Sequence, residues 1–312
     1  MFNYADSDKL PDVKFAVVKK LEAVPLTGAD ENAAYCWSIL PSADDRTLLF
    51  MDYANNALTR VDLHASDVHV VYRCESPARL RAAIFVEFVP QQKALLVAER
   101  LPNAAAQSMP HSLSVALCDA TRWTRRQRLP LVTATCELDL SYPFIIGAVH
   151  TNKVLCGVCS TSALEALAVD ATGTARRLQP IRLGFTYGCF VTGRSQDTEL
   201  LVISLFEWNE VHLLQVANGK SLSLQLLHVI EVGGNILLWR AGLLFAAEWN
   251  AQTDAHEVSV WHVSGGGQRV ERCGTPITHA DNIRIDCWCA AGEKIALRDV
   301  KSKKIIVYEL KN

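Results

Sequence analysis

Two tripeptides carry the chemistry most readily read from this sequence: Glu207-Trp208-Asn209 and Glu248-Trp249-Asn250. Each stands where an apolar run gives way to a polar turn, at what reads as the same place in a repeating pattern, and Asp52-Tyr53 is a looser version. A large aromatic ring beside a carboxylate suits the anchor of a protein contact. Tryptophan contributes apolar area and one donor, and the acid can take a basic group from a partner. The partner-binding candidates are therefore Tyr53, Glu207, Trp208, Asn209, Glu248, Trp249 and Asn250. The same residues also fit a structural role, the ring wedged between neighbouring elements and the acid accepting loop N–H groups.

Metal chemistry has weaker candidates. Asn235, in Gly233-Gly234-Asn235-Ile236, and Asn282, in Ala280-Asp281-Asn282-Ile283, lie at equivalent approaches to apolar strands, with Glu31, Asn32, Asp281 and Asp286 available to join them. Oxygen donors of this kind suit a hard cation, and asparagine equally suits a turn. Cys156-Gly157-Val158-Cys159 falls on an expected strand, where residues three apart point to opposite faces, and no second such pair completes a zinc set. Cys287-Trp288-Cys289 puts two thiols on one face without histidines at metal spacing. The nine histidines are scattered and no serine or cysteine context resembles a nucleophile elbow, so no catalytic residue is assigned and no cofactor is called for.

Nucleic acid would find its best contact at Arg122, Trp123, Arg125, Arg126 and Arg128, four arginines for phosphates and one ring for a base. On an outer strand the same charge keeps an edge soluble and unpaired. A net charge of −2 over 312 residues gives no bulk attraction to nucleic acid or to anionic membranes. No apolar stretch reaches the roughly 18 residues of a spanning helix, and Met1 to Asp12 lacks the apolar core of a secretion signal. The ten cysteines sit mostly within apolar runs, as small hydrophobes do, which points to a reducing compartment, cytoplasmic or nuclear. The expected partner is another protein or peptide, bound by a monomer or by one part of a larger complex.

These residues are positioned by a recurring hairpin. An apolar run, a polar turn and a second strand-like run occur at 48–51 with 58–63, 95–98 with 113–117, 154–157 with 164–169, 200–206 with 211–216, 243–247 with 258–263, and 294–297 with 305–310. The first strands start 43 to 59 residues apart, the spacing of four-stranded propeller blades. Apolar segments such as Ala83-Ile84-Phe85-Val86 precede the hairpins as inner strands. More polar alternating runs, such as Val68 to Tyr72 and Ser223 to Leu227, follow the first five as outer strands.

The last unit stops directly after its third strand, and the segment 13–24 reads as a strand without a partner. Pairing Phe15 to Leu21 with Ile305 to Tyr308 fills the missing place in the last blade, 278–312. The expectation is all-β: a single β-propeller domain over 1–312, with about six four-stranded blades closed by its N-terminal strand, and a two-sheet sandwich or separate domains as the fold alternatives. One long insert, Arg100 to His111, falls inside the second hairpin.

The turn in Met51-Asp52-Tyr53-Ala54-Asn55-Asn56-Ala57-Leu58-Thr59-Arg60-Val61 resembles the strand, Asp, Asn-rich turn, strand pattern of six-bladed NHL-type propellers, and Ala296 to Val307 is similar. The resemblance covers two hairpins. It implies a superfamily whose members bind protein or RNA and, more remotely, hydrolyse lactones and phosphotriesters with a metal ion. In lactonase-like members a channel calcium is held at positions such as Asn235 and Asn282. The family's Glu-Gly-Pro lead into the first blade is missing here, and the third and fourth blades offer only Asp139 and Tyr187. The repeat signatures of WD40 and kelch blades are also absent. The leading functional reading is a non-enzymatic interaction module. A lactonase-like metal-dependent hydrolase and an RNA-binding propeller are the alternatives.

Overall fold

The computed structural model describes residues 13–22, 39–41, 47–52, 56–62, 68–73, 79–88, 92–102, 111–119, 125–132, 145–149, 153–158, 163–169, 175–177, 181–182, 189–205, 209–218, 222–291, 294–302 and 304–311. Two compact units divide the chain, one of residues 26–186 and one formed by 1–25 together with 187–312. Among the described residues every sheet is antiparallel, and the first strand of the chain, β1 (Lys14–Glu22), joins the last sheet.

Unit 26–186 holds three sheets. The first runs β2 (Ile39–Pro41), β3 (Thr47–Asp52), β4 (Ala57–Asp62), β5 (Val68–Arg73). The second runs β6 (Arg79–Phe88), β7 (Gln92–Pro102), β8 (His111–Asp119), β9 (Arg125–Val132). Pro102 pairs with His111, so the insert expected over Arg100 to His111 is partly ladder and the connection is 103–110. The third sheet holds β10 (Ile145–Val149), β11 (Lys153–Val158), β12 (Ala163–Val169) and β13 (Ala175–Arg177), and β14 (Ile181–Arg182) also pairs with β12. That fifth strand departs from the four expected.

The other unit holds β15 (Cys189–Ser195), β16 (Thr198–Leu205), β17 (Glu210–Asn218) and β18 (Leu222–Glu231), followed by β19 (Gly234–Arg240), β20 (Leu243–Asn250), β21 (Ala255–Ser264) and β22 (Arg269–Ile277). Its last sheet has β23 (Ile285–Ala291), β24 (Lys294–Asp299) and β25 (Lys304–Lys311), and β1 takes the outer place beside β25. Phe15 pairs with Leu310 and Leu21 with Ile305, with a break in register between Val17 and Lys19. An edge of eight residues is thereby hydrogen-bonded instead of exposed.

The hairpin strands read as continuous apolar runs because both faces of a sheet are covered. Along β20, Leu243, Phe245 and Ala247 pack into a core with Trp288, Leu297 and Tyr308. Leu244 and Ala246, pointing the other way, join Leu200, Val202, Leu213 and Leu237. Burying a side chain the size of Phe245 contributes about 2–3 kcal/mol. At the chain's N-terminal strand, Phe15 stacks 5.9 Å from Phe245 and 5.2 Å from Tyr308. No helix among the described residues is long and apolar enough to cross a membrane.

Candidate loop-face site

Four hairpins share one turn length. The last ladder pairs are Asp52 with Ala57, Leu205 with Glu210, Asn250 with Ala255, and Asp299 with Lys304, each leaving four residues in the turn. A four-residue hairpin loop built on a type I turn needs a left-handed residue at its end, and Asn or Asp tolerates it best. Asn56, Asn209 and Asp254 fill that place with φ of 55°, 51° and 52°.

This geometry corrects the sequence alignment of the two tripeptides. Asn209 is the left-handed residue of its turn, whereas Asn250 ends a strand and is equivalent to Leu205 and Asp299. The repeated Glu-Trp-Asn is thus out of step with the hairpins and does not mark matching positions. Tyr53, Glu207 and Trp208 lie outside the described residues. Asn250 Oδ1 accepts the backbone N–H of Gln252 at 2.9 Å and of Thr253 at 3.3 Å, holding its own turn. Asp299 does more at the same position. Its Oδ1 accepts from Arg284 N at 3.0 Å and Lys301 N at 3.2 Å, and its Oδ2 from Ser302 N at 3.1 Å.

Successive strand residues face opposite ways, which separates Trp249 from Glu248. The Trp249 ring lies 5.0 Å from His256, its cross-strand neighbour, and the Arg284 guanidinium sits 5.1 Å from the ring centroid. Arg284 reaches Asp254 at 3.5 Å, Lys301 reaches Asp254 at 3.6 Å, and Lys301 Nζ donates to Asn282 Oδ1. Asn282 is left-handed at φ 57°, and its N–H bonds His279 O at 3.2 Å, the geometry of a turn former. Asn235 sits where the register breaks between Gly234 and Ile236. His256 Nδ1 accepts Ile285 N–H, and burial, reinforced by Arg284 and His279, lowers its pKa to about 4.

Glu248 instead faces an open recess of about 370 Å³ lined by Asn209, Glu210, Glu231, Val232, Gly233 and Glu248. Glu210 and Glu231 are direct cross-strand partners. His212 Nε2 stands 2.9 Å from Glu210 Oε2. A Cβ on residue 233 would lie 2.9 Å from Glu248 Oε1 and 3.4 Å from Asn209 Oδ1, so the glycine lets both oxygens close over the backbone. Glu231 and Glu248 are exposed and, among the described residues, have no ion-pair or hydrogen-bond partner. Among the described residues three carboxylates and no lysine or arginine line the recess, giving it a negative potential suited to a cationic side chain. Of the sequence candidates, the structure brings Asn209 and Glu248 together here and turns Trp249 and Asn250 to other tasks. Sequence reading missed Glu210, Glu231 and Gly233; the only signal was acid at facing ends of adjacent strands.

The remaining candidates lie elsewhere. Arg125, Arg126 and Arg128 are on β9, the outer strand of its sheet, while Arg122 and Trp123 lie outside the described residues. Cys156 is on β11, and Cys159 lies outside the described residues. Burial pushes the Cys289 thiol far above its usual range, leaving it a packing group. Among the described residues no group of three or more His, Cys, Asp or Glu is placed to hold a metal ion.

No family model matches this sequence. No curated protein matches it either. Solved structures do match in fold. A chain of a mitotic checkpoint complex aligns over 95% of this chain and 95% of its own, with 10% identity and a TM-score of 0.55. The PQQ-bound aldose sugar dehydrogenase of Streptomyces coelicolor aligns over 97% and 100%, with 11% identity and a TM-score of 0.55. A Bacteroides uniformis protein assigned provisionally as a 6-phosphogluconolactonase aligns over 96% and 92%, with 11% identity and a TM-score of 0.57. At such identity the likeness is one of fold, and the fold is that of β-propeller proteins.

Proposed function

We propose that this chain is a six-bladed propeller, a single domain closed by β1, that works as a non-enzymatic interaction module and binds a protein or peptide through the hairpin ends of its loop face. The observation that carries this reading is the recess at Asn209, Glu210, Glu231, Gly233 and Glu248. Two of its carboxylates are solvent-exposed and uncommitted, and an Arg or Lys of a partner would complete them with charge-assisted bonds. A fold neighbour that is part of a multi-protein complex fits the same reading.

The hydrolase reading keeps one supporting observation, a fold neighbour assigned provisionally as a lactonase. Against it, Asn282 already serves Lys301 and a turn. Calcium binding to the purified chain would favour it. The interaction reading is tested by affinity capture from the source cell with wild type and the Glu231→Lys, Glu248→Lys double variant, both checked by circular dichroism. A partner held by wild type and lost by the folded variant supports the reading. Identical partners on both would remove the recess from it.

A further inference from the structure

The outer strands differ in how they guard their free edges. An outer strand presents unpaired N–H and C=O groups, and lysine or arginine placed on it keeps another strand from pairing there. Among the described residues β1, β5, β9, β13 and β22 each carry at least one lysine or arginine. β18, Leu-Ser-Leu-Gln-Leu-Leu-His-Val-Ile-Glu, carries neither, and its one carboxylate is its last residue, Glu231. At 10 residues it is also long for a strand, and among the described residues it pairs only with β17.

The register along β18 adds an apolar stripe. His228 lies opposite Leu213 and Leu226 opposite Leu214, leaving Leu227 as the extra residue of a bulge. Leu226 faces Leu214 and Val229 faces His212, two positions apart on β17, so the bulge sets both on the same face. They are 50% and 44% exposed, two of the three exposed large hydrophobics among the described residues. The other side of the strand is anchored. Leu227 packs at Gly267, where a Cβ would meet it at 2.7 Å, and His228 Nε2 lies 2.8 Å from Gln268 O.

We propose that β18 pairs antiparallel with β18 of a second copy of this chain, about a two-fold axis through the strand. Two-fold pairing needs a segment that is its own complement. Across Leu222 to Ile230 no acid, lysine or arginine would meet its like, whereas a charged strand from another protein finds no counter-charge there. Pairing covers Leu226 and Val229 of both copies and satisfies both edges. The inference does not rest on the recess, which lies at the hairpin ends.

Sedimentation equilibrium of the full chain tests it, alongside amide exchange of residues 222–230 at low and high protein concentration. The expected result is a concentration-dependent dimer in which these amides exchange more slowly. Leu226→Lys and Val229→Lys, exposed changes that circular dichroism should show folded, are each expected to weaken it at least tenfold. A monomer at every concentration overturns the proposal. So does a dimer that leaves exchange in 222–230 unchanged or survives both lysines, and so does slowed exchange that appears only when an unrelated apolar peptide is added.

Discussion

His256 Nδ1 accepts the backbone N–H of Ile285 at 3.0 Å, and the backbone N–H of His256 donates to Ile283 O at 2.8 Å. One residue of β21 therefore ties the β20–β21 hairpin to the start of β23. The bond requires a neutral ring, because a protonated imidazole has two donors and no acceptor. The folded pKa of about 4 lies below the ordinary 6.5, so the unfolded chain binds the extra proton first. This contribution to stability is complete above pH 6.5, declines as pH falls, and is lost by about pH 4, up to about 3 kcal/mol. Urea unfolding of wild type and His256→Asn between pH 4 and 7 should show this decline in the wild type minus variant difference. A flat difference would remove His256 as its source.

Asp299 accepts three backbone N–H groups from two loops. Asp299 is itself buried, and replacing it with alanine removes three part-buried bonds at once and should cost about 2–4 kcal/mol. Asn250→Ala, at the equivalent place with two exposed bonds, should cost about 1 kcal/mol. Chemical denaturation of both variants gives the comparison, and equal losses would contradict the difference in burial.

Phe15 joins β1 to the aromatic core through Phe245 and Tyr308. Phe15→Ala should destabilise by about 2–3 kcal/mol, and removal of residues 1–22 should expose the β25 edge and drive association. Thermal unfolding and size-exclusion chromatography measure the two effects.

Glycine at 193 and at 233 should respond differently to alanine. A Cβ at 193 would sit 2.2 Å from the Trp239 ring, which is packed and cannot yield cheaply, so about 1–3 kcal/mol is expected. At 233 the nearest atom is the tip of the exposed Glu248 side chain. Gly233→Ala should leave stability within about 0.5 kcal/mol of wild type and displace that carboxylate, lowering partner affinity instead.

The hairpins were legible in the sequence because strands buried on both faces leave long apolar runs, as in Leu243 to Ala247, and because turns follow at regular spacing. The place of β1 was legible from a missing strand. The site was less so. Glu248 and Trp249 look like one motif in sequence, yet the pleat sends them to opposite sides, one to solvent and one beneath Arg284. Glu231 lies 17 positions before Glu248 and lines the same recess only through sheet packing, which leaves no local pattern to read. Asn209 and Asn250 share a tripeptide, but turn register decides their roles, and register is invisible without the ladder pairs.

The most direct test of the recess as a binding site is calorimetric titration of the full chain with lysine- and arginine-rich peptides, against acidic peptides of matched length. Binding is expected for basic peptides only, weakening as salt is raised and lost in the folded Glu231→Lys, Glu248→Lys variant. Binding to no basic peptide, or equal binding by wild type and variant, would contradict the assignment of this face.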